Sequence, residues 1–532
     1  MKNIISKIAI FSSVSALALV SCRQDFEEIN TNPNNPVVAP TSAIANSAAK
    51  EFIDATRGAF SSGRMYLPWA QYSAQVNYTD EDRYKFRENV NQALYRDHYL
   101  VARDYKLILD LNSSPETAAN ASAYGSNVNQ IAMSRIMLSY IFSELVDTYG
   151  DVPYYSYGNK DADFQALDVL ENPNPKFASQ KKIYADILNE LKAASVMMDT
   201  SKPVFSGPAA AGDQIFKGSS VKWKKFANSL RLRIANRVKN VIPEANAHIT
   251  DAIASGVMTS NEDNAELKYQ TNPSFAAPLY IAFVVDARED FHVADTFVKA
   301  LKGEKGSFGV DPRLQKMVAP KGTSLSSAGT NSYTPSADLT KYVGMPYGVI
   351  NAEAPKQFEN GKTSIFGFPV LAADAALTFM EYSEVEFILS EVNGWDQTHY
   401  IKGIEASMAK WKVDTASIAA FVATVPAASA QSVGTQKWVA LYNQPLEAWS
   451  EYRRTGYPNF LLKPGQTNNY LVADDDGNMT YTFVSSVSGL TDVPYRVTYP
   501  INLATLNPEN YAAAQTAVGG DKMNTKLIWD TN

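Results

Sequence analysis

Cys22 is the only cysteine in 532 residues, so no intramolecular disulfide can form and the chain must be held together by its hydrophobic core. Its position is equally informative. A short basic start (Lys2, Lys7) leads into an apolar and small-residue run from Ile8 to Val20, and Ser21 precedes the cysteine. That is the pattern of a secretory signal, and a cysteine at the cleavage point matches the bacterial lipobox, in which the thiol is acylated with chains such as palmitate. The expected organisation is a signal peptide over 1–21, a mature start at lipidated Cys22, an extended Asn/Pro-rich tether over 22–40 and one folded domain over 41–532. No later apolar run reaches the roughly 18 residues a spanning helix needs, so the expected route to the membrane is the lipid, with several acyl chains holding better than one.

Removing residues 1–21 deletes two lysines and no acid, moving the formal net charge from −7 to −9. Such a balance gives no reason to expect nucleic acid as a partner. About 500 mature residues are ample for a core, and the composition, 45% hydrophobic with 29 tyrosines, is globular. Tyrosine offers an apolar face and a polar tip, which suits packing between helices and equally suits contact with hydroxylated ligands.

Hydrophobic period predicts helices over Ile44–Phe60, Asn129–Tyr149, Pro175–Asp199, Lys222–Asn240, Ala375–Gly394 and Thr435–Arg454, the last kinked or divided at Pro445. Asn129–Tyr149 is apolar on most sides, as a central helix should be, and Gly150 is its stop. In Lys222–Asn240 the cations Lys224, Lys225, Arg231 and Arg237 fall off the apolar stripe and are expected on a solvated face or in ion pairs. Residues 255–295, 303–370 and 455–530 lack helical period and read as long ordered loops, where binding surfaces concentrate. One loop carries a hairpin signal, Tyr470–Ala473 and Met479–Phe483 around Asp474–Asn478. Its acids lack the glycine and glutamate spacing of a calcium loop.

Catalytic signatures are scarce. There is no G-x-S-x-G, H-E-x-x-H or G-x-G-x-x-G. Gly361-Lys362-Thr363 resembles the end of a phosphate loop, but Lys356 stands where the leading glycine belongs. The four histidines (His98, His248, His292, His399) lack metal-ligand spacing, and no metal or cofactor is expected. A glycosidase needs only two carboxylates about 5 to 10 Å apart, and with 55 acids such pairs can always be drawn.

Several segments together resemble the SusD/RagB-type nutrient-binding outer-membrane lipoproteins, SusD-like 2 subgroup. They include Asp25–Asn34, Leu145–Tyr154, Trp223–Arg233, Arg288–Val293, Asp311-Pro312-Arg313, Met380–Leu389, Gln436–Trp438, Glu447–Pro458, Tyr499-Pro500 and Gly519–Trp529. The resemblance implies a mainly α fold, a tetratricopeptide-like scaffold of helix pairs with long ordered loops and a few short strands. It also implies binding without catalysis, a SusC-like TonB-dependent transporter as partner, and a cell-surface place on the outer membrane. Family members bind glycans in many cases and peptides in some. Glycan capture for the transporter is therefore the leading expectation. Peptide capture, a lipid-anchored glycosidase and a purely structural lid are the alternatives.

A sugar-binding surface needs aromatic platforms beside amide and charged groups. Trp69–Phe86 and Tyr269–Phe291 mix these without helical period. Trp69 and Tyr72 are expected in the core and Arg288 with Asp290 in an ion pair. Asn77, Tyr78, Arg83, Tyr84, Asn272 and Phe275 are the candidate ligand contacts, with Tyr342 and Tyr347 in the Gly-containing loop as a third option.

The anchor is tested by Cys22→Ala. In cells lacking the transporter, the variant should leave the membrane fraction. A variant that stays membrane-bound would show that the anchor lies elsewhere.

Overall fold

The computed structural model describes residues 39–530. Cys22, the signal sequence and nearly all of the tether lie outside the described residues. Half of the chain is helical, and one continuous buried cluster runs from Ala45 to Trp529.

Helices α1 (Thr41–Arg57), α2 (Glu88–Ser113), α3 (Asn127–Tyr149), α4 (Gln180–Met197), α5 (Ser220–Val238) and α6 (Ala245–Ala254) pack each against the next. Helices α7 (Tyr382–Val392) and α8 (Gln397–Lys410) form a further pair, followed by α9 (Thr415–Val422), α10 (Ala430–Ala440), α11 (Pro445–Thr455) and α12 (Pro508–Ala517). This is the expected helix-pair scaffold. Helix α3 is central: Ser126 caps its first turn by accepting from the Asn129 N–H, every residue from Ala132 to Tyr149 is buried, and Gly150, at φ 89°, ends it.

Three expectations are corrected. The predicted helix Ala375–Gly394 begins instead as a strand, Ala376–Met380, antiparallel to Ala265–Lys268; Asn264 then accepts from the Tyr382 N–H and α7 starts there. Ladder pairing outweighs the local helical preference of Ala-Leu-Thr-Phe-Met. The first helix stops at Arg57, not Phe60, because Gly58 turns the chain where a Cβ would meet the Asp54 carbonyl at 2.7 Å. The 26-residue α2 is not among the helices that period predicts. Pro445 does divide the predicted Thr435–Arg454 segment, occupying the first turn of α11. The hairpin is present, but its ladder pairs Thr467–Asn469 with Thr480–Thr482, and the Asp474 carboxylate closes the turn by accepting from the Asp476 and Asn478 N–H groups.

The arginines of α5 are not solvated, whereas Lys224 and Lys225 are part-exposed. Arg231 and Arg237 are buried; Arg231 pairs with Asp251 at 2.8 Å and Arg237 with Asp147 of α3 at 2.5 Å and with Glu447 of α11. Arg233 pairs with Glu384 of α7 at 2.5 Å. Glu451 takes Lys437 at 2.8 Å and Arg454 at 2.8 Å, and Glu391 takes Arg454 at 2.6 Å and Lys239 at 2.8 Å. A separate pair, Arg57–Glu144 at 2.6 Å, ties α1 to α3.

Burial alone would raise the Glu391 and Glu144 carboxyls. Arg454 and Lys239 at the first, and Arg57 and His98 at the second, override it and hold each at about 2, below the usual 4.5. A carboxyl depressed by folding contributes stability above its unfolded value and loses it as pH falls toward the folded one. Stability should therefore be steady near neutrality and fall between about pH 4.5 and 2, by on the order of 3 kcal/mol for each of these carboxylates. Denaturant melts across that range check this, and Glu391→Gln should flatten the slope. Equal stability at pH 5 and pH 2 would contradict it.

Candidate functional site

The two loop segments singled out by composition meet in space. Ser73–Gln75 pairs antiparallel with Phe291–Val293, and the Asp290 carbonyl accepts from the Val76 and Asn77 N–H groups at 2.9 and 3.3 Å. Gly63 is required beneath this ladder, since a Cβ there would lie 2.6 Å from the Phe291 ring. Trp69 and Tyr72 are core residues, and Arg288 pairs with Asp290 at 2.9 Å, as expected.

Beside the ladder opens a cleft of about 450 Å³, within the range of small-molecule sites, whose walls include Asp54, Phe60, Arg64, Ser274, Arg288 and Asp290. Phe60 is 50% exposed and Tyr78 51%. The Arg64 guanidinium lies between them, 5.8 Å from each ring centroid, and Arg87 covers Tyr78 at 4.6 Å. Glu81 holds both guanidinium groups, Arg64 at 3.0 Å and Arg87 at 2.8 Å; burial pushes its carboxyl up despite these partners. Asp290 takes the other side of Arg64 at 3.3 Å. Tyr78 sits in the left-handed region, φ 61°, a conformation that costs energy for a bulky residue. Its N–H donates to Asn351 Oδ1 at 3.1 Å, which fixes the loop. On the far side of Phe60 lies a second depression of about 380 Å³, with Glu51, Asp97 and Leu100 in its wall.

The structure sorts the candidate contacts. Asn77 is exposed beside Tyr78, its amide donating to the Glu289 carbonyl at 3.3 Å. Phe275 is 51% exposed, next to Ser274 at the cleft rim, while Asn272 accepts from the Ser274 N–H at 3.1 Å and shapes that turn. Arg83 is engaged by Asp80 and, like Tyr78, does not form part of the cleft wall. Tyr84 and Tyr347 do not form an exposed platform: both are 0% exposed and pack edge-on against Phe483 at 5.6 and 5.5 Å. Tyr342 is likewise buried. Burial pushes the Tyr84 and Tyr347 phenols up. The distant residue Phe483 makes them core, and nothing local announces it.

Phe60 and Arg64 are not among the sequence candidates. Hydrophobic period carries the first helix to Phe60, although a basic residue followed by glycine, Arg57-Gly58, is a stop signal that places Phe60 in the loop. Arg64 carries no sequence signal of its own.

Solved structures share this architecture. A chitin-binding protein aligns with a TM-score of 0.70 at 24% identity, covering 92% of this chain and 99% of its own. A SusD homolog from Parabacteroides distasonis gives 0.72 at 21%, covering 92% and 98%, and a chitin-binding SusD homolog from Flavobacterium johnsoniae gives 0.68 at 20%, covering 92% and 99%. At these identities the likeness is one of fold. No curated protein matches the sequence. The family model SusD-like_2, described as starch-binding associating with outer membrane, matches residues 33–480, and with that share of its length aligned the chain belongs to the SusD-like family.

Proposed function

We propose that the protein captures an oligosaccharide or polysaccharide at the cell surface and delivers it to a TonB-dependent transporter of SusC type in the outer membrane. In this reading Cys22 supplies the lipid anchor and residues 41–532 form one ligand-binding domain. Among the described residues no helix is long and apolar enough to cross a membrane, which is compatible with that anchor. The family description and the chitin-binding structural relatives support a glycan as the ligand.

The observation that carries the reading is the pair of half-exposed rings, Phe60 and Tyr78, each 5.8 Å from the Arg64 guanidinium, with Phe60 and Arg64 in the wall of a cleft that also presents Asp54, Arg288 and Asp290. Sugar rings present flat C–H faces to aromatic rings and hydroxyls to charged and amide groups. Each such aromatic contact is worth about 0.5–1.5 kcal/mol beyond area. A few of them give micromolar to millimolar affinity, about −8 to −4 kcal/mol, weak enough for release to a transporter. Asp290, the carboxylate between Arg64 and Arg288, orients donors in this arrangement, and the ligand leaves intact.

Affinity electrophoresis against a polysaccharide panel identifies the ligand. With it, Phe60→Ala and Tyr78→Ala should each weaken binding by up to about tenfold, at 1.4 kcal/mol per tenfold, with little change in melting temperature. Tyr84→Ala should instead cost about 3–5 kcal/mol of stability, as loss of a buried ring does. Unchanged affinity in both exposed-ring variants would place the ligand elsewhere. Hydrolysis of the bound oligosaccharide, abolished by one Asp or Glu substitution, would replace capture by catalysis.

A further inference from the structure

A second cavity, of about 790 Å³, shares no lining residue with the cleft at Phe60. It opens where strand Ala265–Lys268, strand Ala376–Met380 and the end of α8 meet the loops at 315–335 and 368–376. Four lysines and two carboxylates line it, a positive concavity in a chain of formal net charge −7.

The lysines differ in kind. Lys410 is structural: its side chain is 13% exposed, and its ammonium is neutralised by Glu266 at 2.9 Å and Glu381 at 2.5 Å and donates to Thr378 at 2.8 Å. Lys268 follows Glu266 on the same strand and contributes to holding that carboxyl down. Lys316 and Lys412 make no ion pair or side-chain hydrogen bond among the described residues. The remaining carboxylate, Asp374, is exposed and equally without an ion pair. Two uncommitted ammonium groups therefore line one cavity, and one of its two carboxylates, Glu266, is already spent on Lys410.

Aromatic surface lies beside these charges. Tyr333 is pinned, its phenol oxygen accepting from the Phe368 N–H at 2.9 Å, which leaves the O–H to donate. Phe368 is part-exposed, and Trp411 is 95% buried with an indole N–H that has no partner. A buried donor left unmatched costs about 1–3 kcal/mol, so a ligand acceptor that reached it would recover that cost. Rings, the Asn331 and Asn443 amides in the cavity wall and uncommitted cations together suit a sugar that carries negative charge. A neutral sugar would leave the lysines idle, and a bare anion would leave the rings idle.

We propose that this cavity is a second binding site and that it takes an acidic saccharide, with a carboxylate or sulfate held by Lys316 and Lys412 and the sugar ring set against Tyr333 and Phe368. The site stands apart from the cleft at Phe60, so either can fail without the other.

Isothermal calorimetry on the intact protein tests this, with trigalacturonate, its methyl-esterified neutral form, a sulfated disaccharide and a trinucleotide as probes, at low and at physiological ionic strength. Expected are binding of trigalacturonate or the sulfated disaccharide that weakens with salt, at least tenfold weaker binding of the ester, and at least tenfold loss in Lys316→Ala/Lys412→Ala with an unchanged melting temperature. Phe60→Ala should leave this binding intact while reducing that of neutral glycans. Four results would overturn the proposal: no binding of either acidic sugar at millimolar concentration, equal binding of the ester, loss in Phe60→Ala but not in the double lysine variant, or tighter binding of the trinucleotide.

Discussion

Five cations and five carboxylates, seven of them buried and three half-buried where four helices converge on α5, are the constraint on which the remaining structure rests. Lys239, Arg233, Arg237, Lys437 and Arg454 are set against Asp147, Glu384, Glu391, Glu447 and Glu451. They come from α3, α5 with its C-cap Lys239, α7, α10 and α11, so one balanced cluster ties helices more than 300 residues apart in the chain. Taking such charges out of water is expensive, and the cost is offset only if every partner is in place. An alternative helix packing would strand a charge at several kcal/mol, so the cluster selects one arrangement even where its net contribution to stability is small. Arg453 adds to it from the side, its guanidinium 3.4 Å above the Trp449 ring and donating to the Asp147 carbonyl at 2.9 Å. With no disulfide possible, specificity of this kind falls to charge and packing.

The same logic positions the cleft. Arg57, in the last turn of α1, is held by Glu144 at 2.6 Å and Tyr140 at 3.0 Å of α3. The chain turns at Gly58 directly after that fixed point, and Phe60 and Arg64 follow within two turns' length. The loop bearing Tyr78 is fixed from the other direction, by the ladder to Phe291–Val293 and by Asn351. The two rings thus sit on loops whose ends are anchored in the scaffold, which limits the ordering cost when a ligand docks.

Much of the scaffold was legible because its helices are periodic. Ile131 through Val146 and Trp223 through Val238 announce themselves, but cations lying off an apolar stripe are compatible with a solvated face as well as with ion pairs, and only the packed structure decides for Arg231 and Arg237. Helix α2 has the same period, in Val90, Leu94, Val101, Tyr105 and Ile108, but charged and amide residues fill the positions between and dilute the signal. The proposed site is half legible. Composition marked both loops that build it, because mixed aromatic and polar residues without period have few other uses. It could not separate Tyr78 from Tyr84. Both are loop tyrosines at positive φ, 61° and 74°, and only packing against Phe483, 399 residues further on, makes one core and leaves the other exposed. Contacts of that range are invisible to any local pattern.

The central claim is that a rigid, charge-locked helical scaffold presents the loops around Phe60 and Tyr78 to a glycan. Hydrogen exchange on the protein, with and without the best-binding neutral oligosaccharide, tests it most directly. The account predicts slowed exchange confined to residues 58–87 and 272–291, with α3, α5, α7 and α11 protected alike in both states. Ligand-dependent protection centred on any other segment, or none in those two loops at saturating ligand, would contradict it.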